Sequence, residues 1–72
     1  MLNDSKTVEE FFAAKAREAG KYHEWVKLIK GFESYNLGYE VCNPVYEAYK
    51  DSDASWFELK SELLINASDW DI

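Results

Sequence analysis

A chain of 72 residues makes one domain, and a domain of this size buries only about 60% of the surface its unfolded form exposes. Nearly all its apolar residues are therefore needed for a core, which leaves little for a deep cleft or a cofactor pocket, and no cofactor is expected. A formal charge of −6 with a pI near 4.6 opposes direct binding to nucleic acid, and the single cysteine, Cys42, excludes an internal disulfide and a paired-thiolate metal site.

In chain order, residues 1–6 are polar and expected to fray. Thr7-Val8-Glu9-Glu10 has the Ser/Thr-x-x-Glu spacing of a capping box, in which the Thr7 hydroxyl accepts from the Glu10 amide and the Glu10 carboxylate reaches back. A first helix is expected over about 7–19, with Val8, Phe11, Phe12, Ala16 and Ala19 inward and Gly20 as a left-handed stop. A second follows at once, over about 21–35. Tyr22, Trp25, Val26, Ile29 and Phe32 recur at helical spacing, so five bulky groups share one face and must be covered by other elements. Asn36-Leu37-Gly38 closes it.

Tyr39 to Cys42 alternates weakly and reads as extended, without a partner strand. Asn43-Pro44 then gives a start signal, Asn as N-cap and Pro at the first helical position, where a missing amide loses nothing. A short third helix is expected over 44–50 with Val45, Ala48 and Tyr49 inward. Ser55-Trp56-Phe57-Glu58 repeats the capping-box spacing, and a fourth helix is expected over 55–65 with Trp56, Leu59, Leu63 and Leu64 inward. Residues 66–72 form an acidic tail with Trp70 between two aspartates; that ring either packs back as a lid or waits for another chain. The fold expected is an all-α bundle of three to four short helices in a single domain spanning 1–72.

The chemistry of catalysis is sparse. His23 lies on the polar side of the second helix and Cys42 near a loop, so no nucleophile has an evident base beside it. Asp51, Asp53, Ser55 and Glu62 fall at positions 1, 3, 5 and 12 of a calcium loop, but Trp56 stands where the sharp turn wants glycine. Glycines 20, 31 and 38 are isolated and build no phosphate loop. Asn66-Ala67-Ser68 matches a glycosylation sequon. The start of the chain lacks the pattern of a signal peptide and no stretch is apolar enough to span a membrane, so a cytoplasmic protein is expected, in a host cytoplasm if the source is viral. No enzyme is expected.

Charge asymmetry carries the functional reading. Residues 1–30 sum to +1 and residues 31–72 to −7. Asp51, Asp53, Glu58, Glu62, Asp69 and Asp71, with Glu40 and Glu47 nearby, are expected to form a negative face flanked by the aromatics Tyr46, Trp56 and Trp70. Carboxylates steer association with a basic groove while an aromatic supplies the anchoring contact. The expectation is a small protein-binding protein of the kind phage and mobile elements use as inhibitors. It would present carboxylates where phosphates lie in the nucleic-acid groove of a host nuclease or defence protein. The binding residues would be Asp51, Asp53, Glu58, Glu62, Asp69, Asp71, Tyr46 and Trp70, and the partner a larger protein with a basic surface. The other reading is a structural or adaptor subunit, a homodimer being one form, with an aromatic interface and the acids as a soluble rim.

Overall fold

A computed structural model describes residues 4–71; residues 1–3 and 72 lie outside the described residues, and with them part of the expected frayed start. Among the described residues the chain is four α-helices and no strand: α1 (Ser5–Glu18), α2 (Tyr22–Glu33), α3 (Gly38–Tyr49) and α4 (Trp56–Ser68). The all-α bundle follows from the sequence as read. Its Cα envelope is 29 × 27 × 19 Å.

Helix α1 begins one turn earlier than the Thr7 capping box implies. Asp4 is the N-cap, its Oδ1 accepting from the Lys6 amide at 3.1 Å, because an acid already placed ahead of Ser5 satisfies the first orphan donors before Thr7 is reached. Val8, Phe12, Ala13 and Ala16 are buried, with Phe11 and Ala19 half-buried beside them. Gly20, at φ +70°, then reverses the chain. The Lys21 amide donates to the Ala16 carbonyl at 2.8 Å and the Gly20 amide to Arg17 at 3.0 Å, the paired bonds of a Schellman closure.

The same device closes α2 without glycine. Asn36 has φ 59°, the Leu37 amide donates to Phe32 at 3.0 Å and the Asn36 amide to Glu33 at 2.9 Å. Asn tolerates that backbone because its short polar side chain is compatible with it. Of the five-residue stripe, Trp25 and Phe32 are buried and Val26 and Ile29 half-buried, but Tyr22 is 41% exposed. Tyr22 stands in the first turn, where its ring lies under the Arg17 guanidinium, 4.6 Å from the ring centroid, and its polar tip stays in water.

Helix α3 departs most from the reading above. It starts at Gly38, so Tyr39 to Cys42 are helical rather than extended, and Pro44 lies inside the helix rather than at its first position. Pro44 deprives the Glu40 carbonyl of its helical donor, yet Glu40 lies on the exposed side, where water can serve it. The next carbonyl, Val41, receives the side-chain amide of Asn66 at 2.7 Å. The early start puts Val41 and Cys42 into the core, and Ala48 outside it. Gly38 is buried under the Glu33 carboxylate, so a Cβ there would collide with it.

Helix α4 begins where expected, with Ser55 Oγ accepting from the Glu58 amide at 3.4 Å. It runs on past 65, taking three residues of the expected tail, because Ala67 is buried and Asn66 is tied to α3. Trp56, Leu59 and Leu63 face inward, whereas Leu64 is 47% exposed. The core they complete is an aromatic series: Tyr46 against Phe11, Phe11 against Phe12, Phe12 stacked on Trp25 at 5.5 Å, and Trp25 edge-on to Trp56 at 6.3 Å. Such pairs contribute roughly 0.5–1.5 kcal/mol each beyond the area they bury. Trp56 is sealed, so its indole N–H needs a partner. It donates to Glu24 Oε1 at 3.1 Å, and Lys60 Nζ meets the same oxygen at 3.0 Å. The indole bond first, and the Lys60 bond second, hold the Glu24 carboxyl below its ordinary pKa.

Candidate functional site

The surface of α4 divides into three rows. Trp56, Leu59, Leu63 and Ala67 face the core. Opposite them, at steps of four, three and four, run Phe57, Ser61, Leu64 and Ser68, all exposed. Beside these, at the same steps, run Glu58, Glu62, Ile65 and Asp69. At 1.5 Å per residue, Glu58 and Glu62 are separated by about 6 Å along the axis, and Glu62 and Asp69 by about 10.5 Å.

The acid row borders a shallow groove of about 200 Å³ between α4 and α3, formed by Pro44, Ala48 and Tyr49 facing Glu62, Ile65 and Asp69. Its origin is local. Pro44 and Ala48 stand four apart on the α4-facing margin of α3, and both side chains are too short to fill the space between the helices. Ile65 forms the opposite wall at 60% exposure. The Tyr49 hydroxyl has its pKa raised above the ordinary value, first by the charge of Glu62, then by burial, then by Glu58. Negative potential therefore converges on this groove.

No ion pair among the described residues neutralises the row. Among the described residues the two lysines of the second half are turned to other acids, Lys50 to Glu47 at 3.5 Å and Lys60 to Glu24 at 3.0 Å, and none of Glu58, Glu62 and Asp69 joins an ion pair.

The other candidate residues lie elsewhere. Asp51 is exposed in the turn before α4, and Asp53 lines a shallow hollow with Lys15 and Glu18 at the end of α1. Asp71 is exposed at φ 60° in the last described turn. Trp70 is 47% exposed, its backbone amide held by the Ala67 carbonyl at 2.9 Å. Tyr46 is half-buried, its ring edge-on to Phe11 with centroids 5.3 Å apart. It therefore sits on the flank of α3 turned to α1, away from the groove. Of the six acids, three are brought into one row.

Sequence reasoning missed Ile65, Pro44, Ala48, Tyr49 and Phe57 as surface features. One signal was present. Trp56, Phe57, Leu59, Leu63, Leu64 and Ile65 are six bulky apolar residues within ten positions, more than the buried face of a single helix holds.

The remaining chemistry is dispersed. Cys42 is fully buried, and burial first, then Glu9 and Glu33, push its thiol up to about 12, the reverse of an activated nucleophile. His23 is exposed on α2, beside a wider hollow that also holds Lys27 and Leu28. Ser55 and Trp56 of the calcium-loop spacing are the cap and first residue of α4, and no group of three or more His, Cys, Asp or Glu among the described residues is disposed around a metal. The sequon amide of Asn66 is engaged with Val41 inside a helix. No described helix is long and apolar enough to cross a membrane.

No known protein family, curated protein or solved structure shows significant similarity to the chain.

Proposed function

We propose that this chain is a small, non-catalytic protein-binding protein that docks on a basic surface of a larger protein through α4. The observation that supports this reading is the unpaired row Glu58, Glu62 and Asp69, set beside exposed Ile65, Leu64 and Phe57. Carboxylates free of intramolecular cations steer association and fix register, while exposed apolar groups supply contact energy. In its inhibitory form the row occupies a groove built for nucleic-acid phosphates, as an anti-defence or anti-nuclease protein of a virus or mobile element would.

The test is affinity capture with the wild-type chain and with a Glu58→Gln, Glu62→Gln, Asp69→Asn variant at low and high salt. The reading requires a partner whose retention falls with salt and with the triple substitution. Displacement of that partner by duplex DNA or RNA marks the inhibitory form. Retention indifferent to both salt and the substitutions overturns the proposal.

A second reading, an adaptor or homodimer using an apolar interface, draws support from Phe57 and Leu64, 57% and 47% exposed on the outermost row of α4. Light scattering over a range of concentrations separates it: a mass that doubles with concentration, and that Phe57→Ser abolishes, favours self-association.

A further inference from the structure

The geometry points to the occupant of the α3–α4 groove: an α-helix of a partner protein, laid along α4, with basic residues opposite Glu58, Glu62 and Asp69 and one apolar residue opposite Ile65 that enters the groove over Pro44 and Ala48. This rests on the reading of the chain as a protein-binding protein and adds to it a place, a secondary structure and a residue pattern.

The row itself argues for a helix. Two helices in contact along their lengths share the same rise of about 1.5 Å per residue, so a partner helix repeats the steps four, three and four and meets all four positions. A strand presents same-side residues about every 6.6–6.8 Å. It would match Glu58 to Glu62 at about 6 Å and then fall out of register before Asp69, about 16.5 Å from Glu58 along the axis. The acids on either side of Ile65 demand cations at the ends of the contact and an apolar group within it, the arrangement of an amphipathic helix lying in a groove. Arginine suits these positions best, because its apolar stem can lie along Ile65 while its planar head pairs a carboxylate through two bonds.

A second copy of the chain does not fit. None of its own helices carries basic residues at all three positions in either direction: α1 comes nearest, with Lys6 and Arg17 eleven apart, but it sets Glu10 or Ala13 against Glu62, and each copy brings a net charge of −6. The raised Tyr49 hydroxyl agrees with a groove whose potential is left for a cation from outside.

The experiment is a backbone-amide NMR titration of the whole chain with a helix-stabilised peptide carrying arginines and one leucine at the four-three-four steps, in both chain directions. A shuffled peptide of equal composition serves as the control. Binding by one patterned peptide at least about tenfold tighter than by the shuffled one, with the largest shifts at Ala48, Tyr49, Ile65 and Asn66, supports the assignment. Glu62→Gln with Asp69→Asn then weakens it about tenfold by removing charge opposite the arginines, whereas Glu10→Gln with Glu40→Gln, an equal change of charge at two other exposed acids, leaves it unaltered. All four positions are at or near the surface, and unchanged spectra of the free variants establish that they fold. Equal binding of the shuffled peptide, or shifts centred on α1 and α2, overturns the assignment. If the groove fails while the capture experiment above still yields a salt-sensitive partner lost with the triple variant, the helix pattern alone is wrong; if both fail, so does the protein-binding reading.

Discussion

Trp56 and Phe57 are neighbours in sequence and opposites in fate. Trp56 is 1% exposed, with its indole N–H held by Glu24, whereas Phe57 is 57% exposed. The division continues along α4, where Leu63 is sealed and Leu64 is 47% exposed. Bulky apolar residues grouped on the side of a helix that its own fold leaves open are a feature of interaction surfaces. The inner row thus holds the fold together, and the outer two rows are available for another molecule.

Several substitutions break or sharpen that contrast. Leu63→Ala should have the largest effect, about 2–5 kcal/mol against a total stability of roughly 4–11 kcal/mol for a domain of this length. Leu64→Ala should stay within about 0.5 kcal/mol. Urea denaturation measures both, and equal losses would erase the distinction between the faces. Trp56→Phe should follow at about 1–3 kcal/mol, from the volume lost in a packed core and the indole bond removed. It also carries a pH signature. Because the folded Glu24 pKa is lowered, its stabilisation is fully present above the ordinary carboxylate pKa of 4.5 and is lost as pH falls through the lowered value. Part of that acid-side decline should vanish in the variant. Gly20→Ala, forcing a side chain to φ +70°, should cost about 1–2 kcal/mol.

The smallest effect has the opposite sign. Glu9 has its pKa raised, by burial first and then by Glu33 and Glu10. An acid whose folded pKa lies above its unfolded one weakens the fold at neutral pH and ceases to do so once protonated. Glu9→Gln should therefore raise the melting temperature at pH 7 through a gain of about 0.5 kcal/mol or less, since the group is largely solvent-screened. The gain should shrink as pH falls through the raised pKa and disappear below the ordinary one. Cys42 provides a separate check on the core. With its thiol at about 12 and fully buried, a thiol-specific reagent should label the native chain only as fast as the region around α3 opens, and unfolded chain at once.

Much of the fold was legible because local signals agreed with tertiary demand. Gly20 stops α1, Ser55 caps α4, and Trp25, Phe32, Leu59 and Leu63 face inward at the spacing that predicts it. Reading failed where one strong local signal competed with packing. Pro44 favours a helix start, but the burial of Val41 and Cys42 and the Asn66 amide on the Val41 carbonyl sustain a helix that began six residues earlier. Leu63-Leu64 presented two adjacent leucines of which a helix can bury only one. For the site, the excess of late acids was visible and, although Asp69 joins the row only because α4 runs past its expected end at 65, the step from Glu58 to Glu62 followed from helical spacing alone. The groove did not, since it arises from two short side chains on a helix whose start was misread.

The place of Trp56 has a consequence for the protein's birth. The ring that ends the aromatic series, Trp56, comes from the last of the four helices, and α1 packs directly against α4. A nascent chain that has emerged only through α3 lacks the ring, Leu59 and Leu63 together, and a core already marginal in size cannot close without them. Folding therefore waits until α4 has left the ribosome, and α1 to α3 remain open to chaperones until it does.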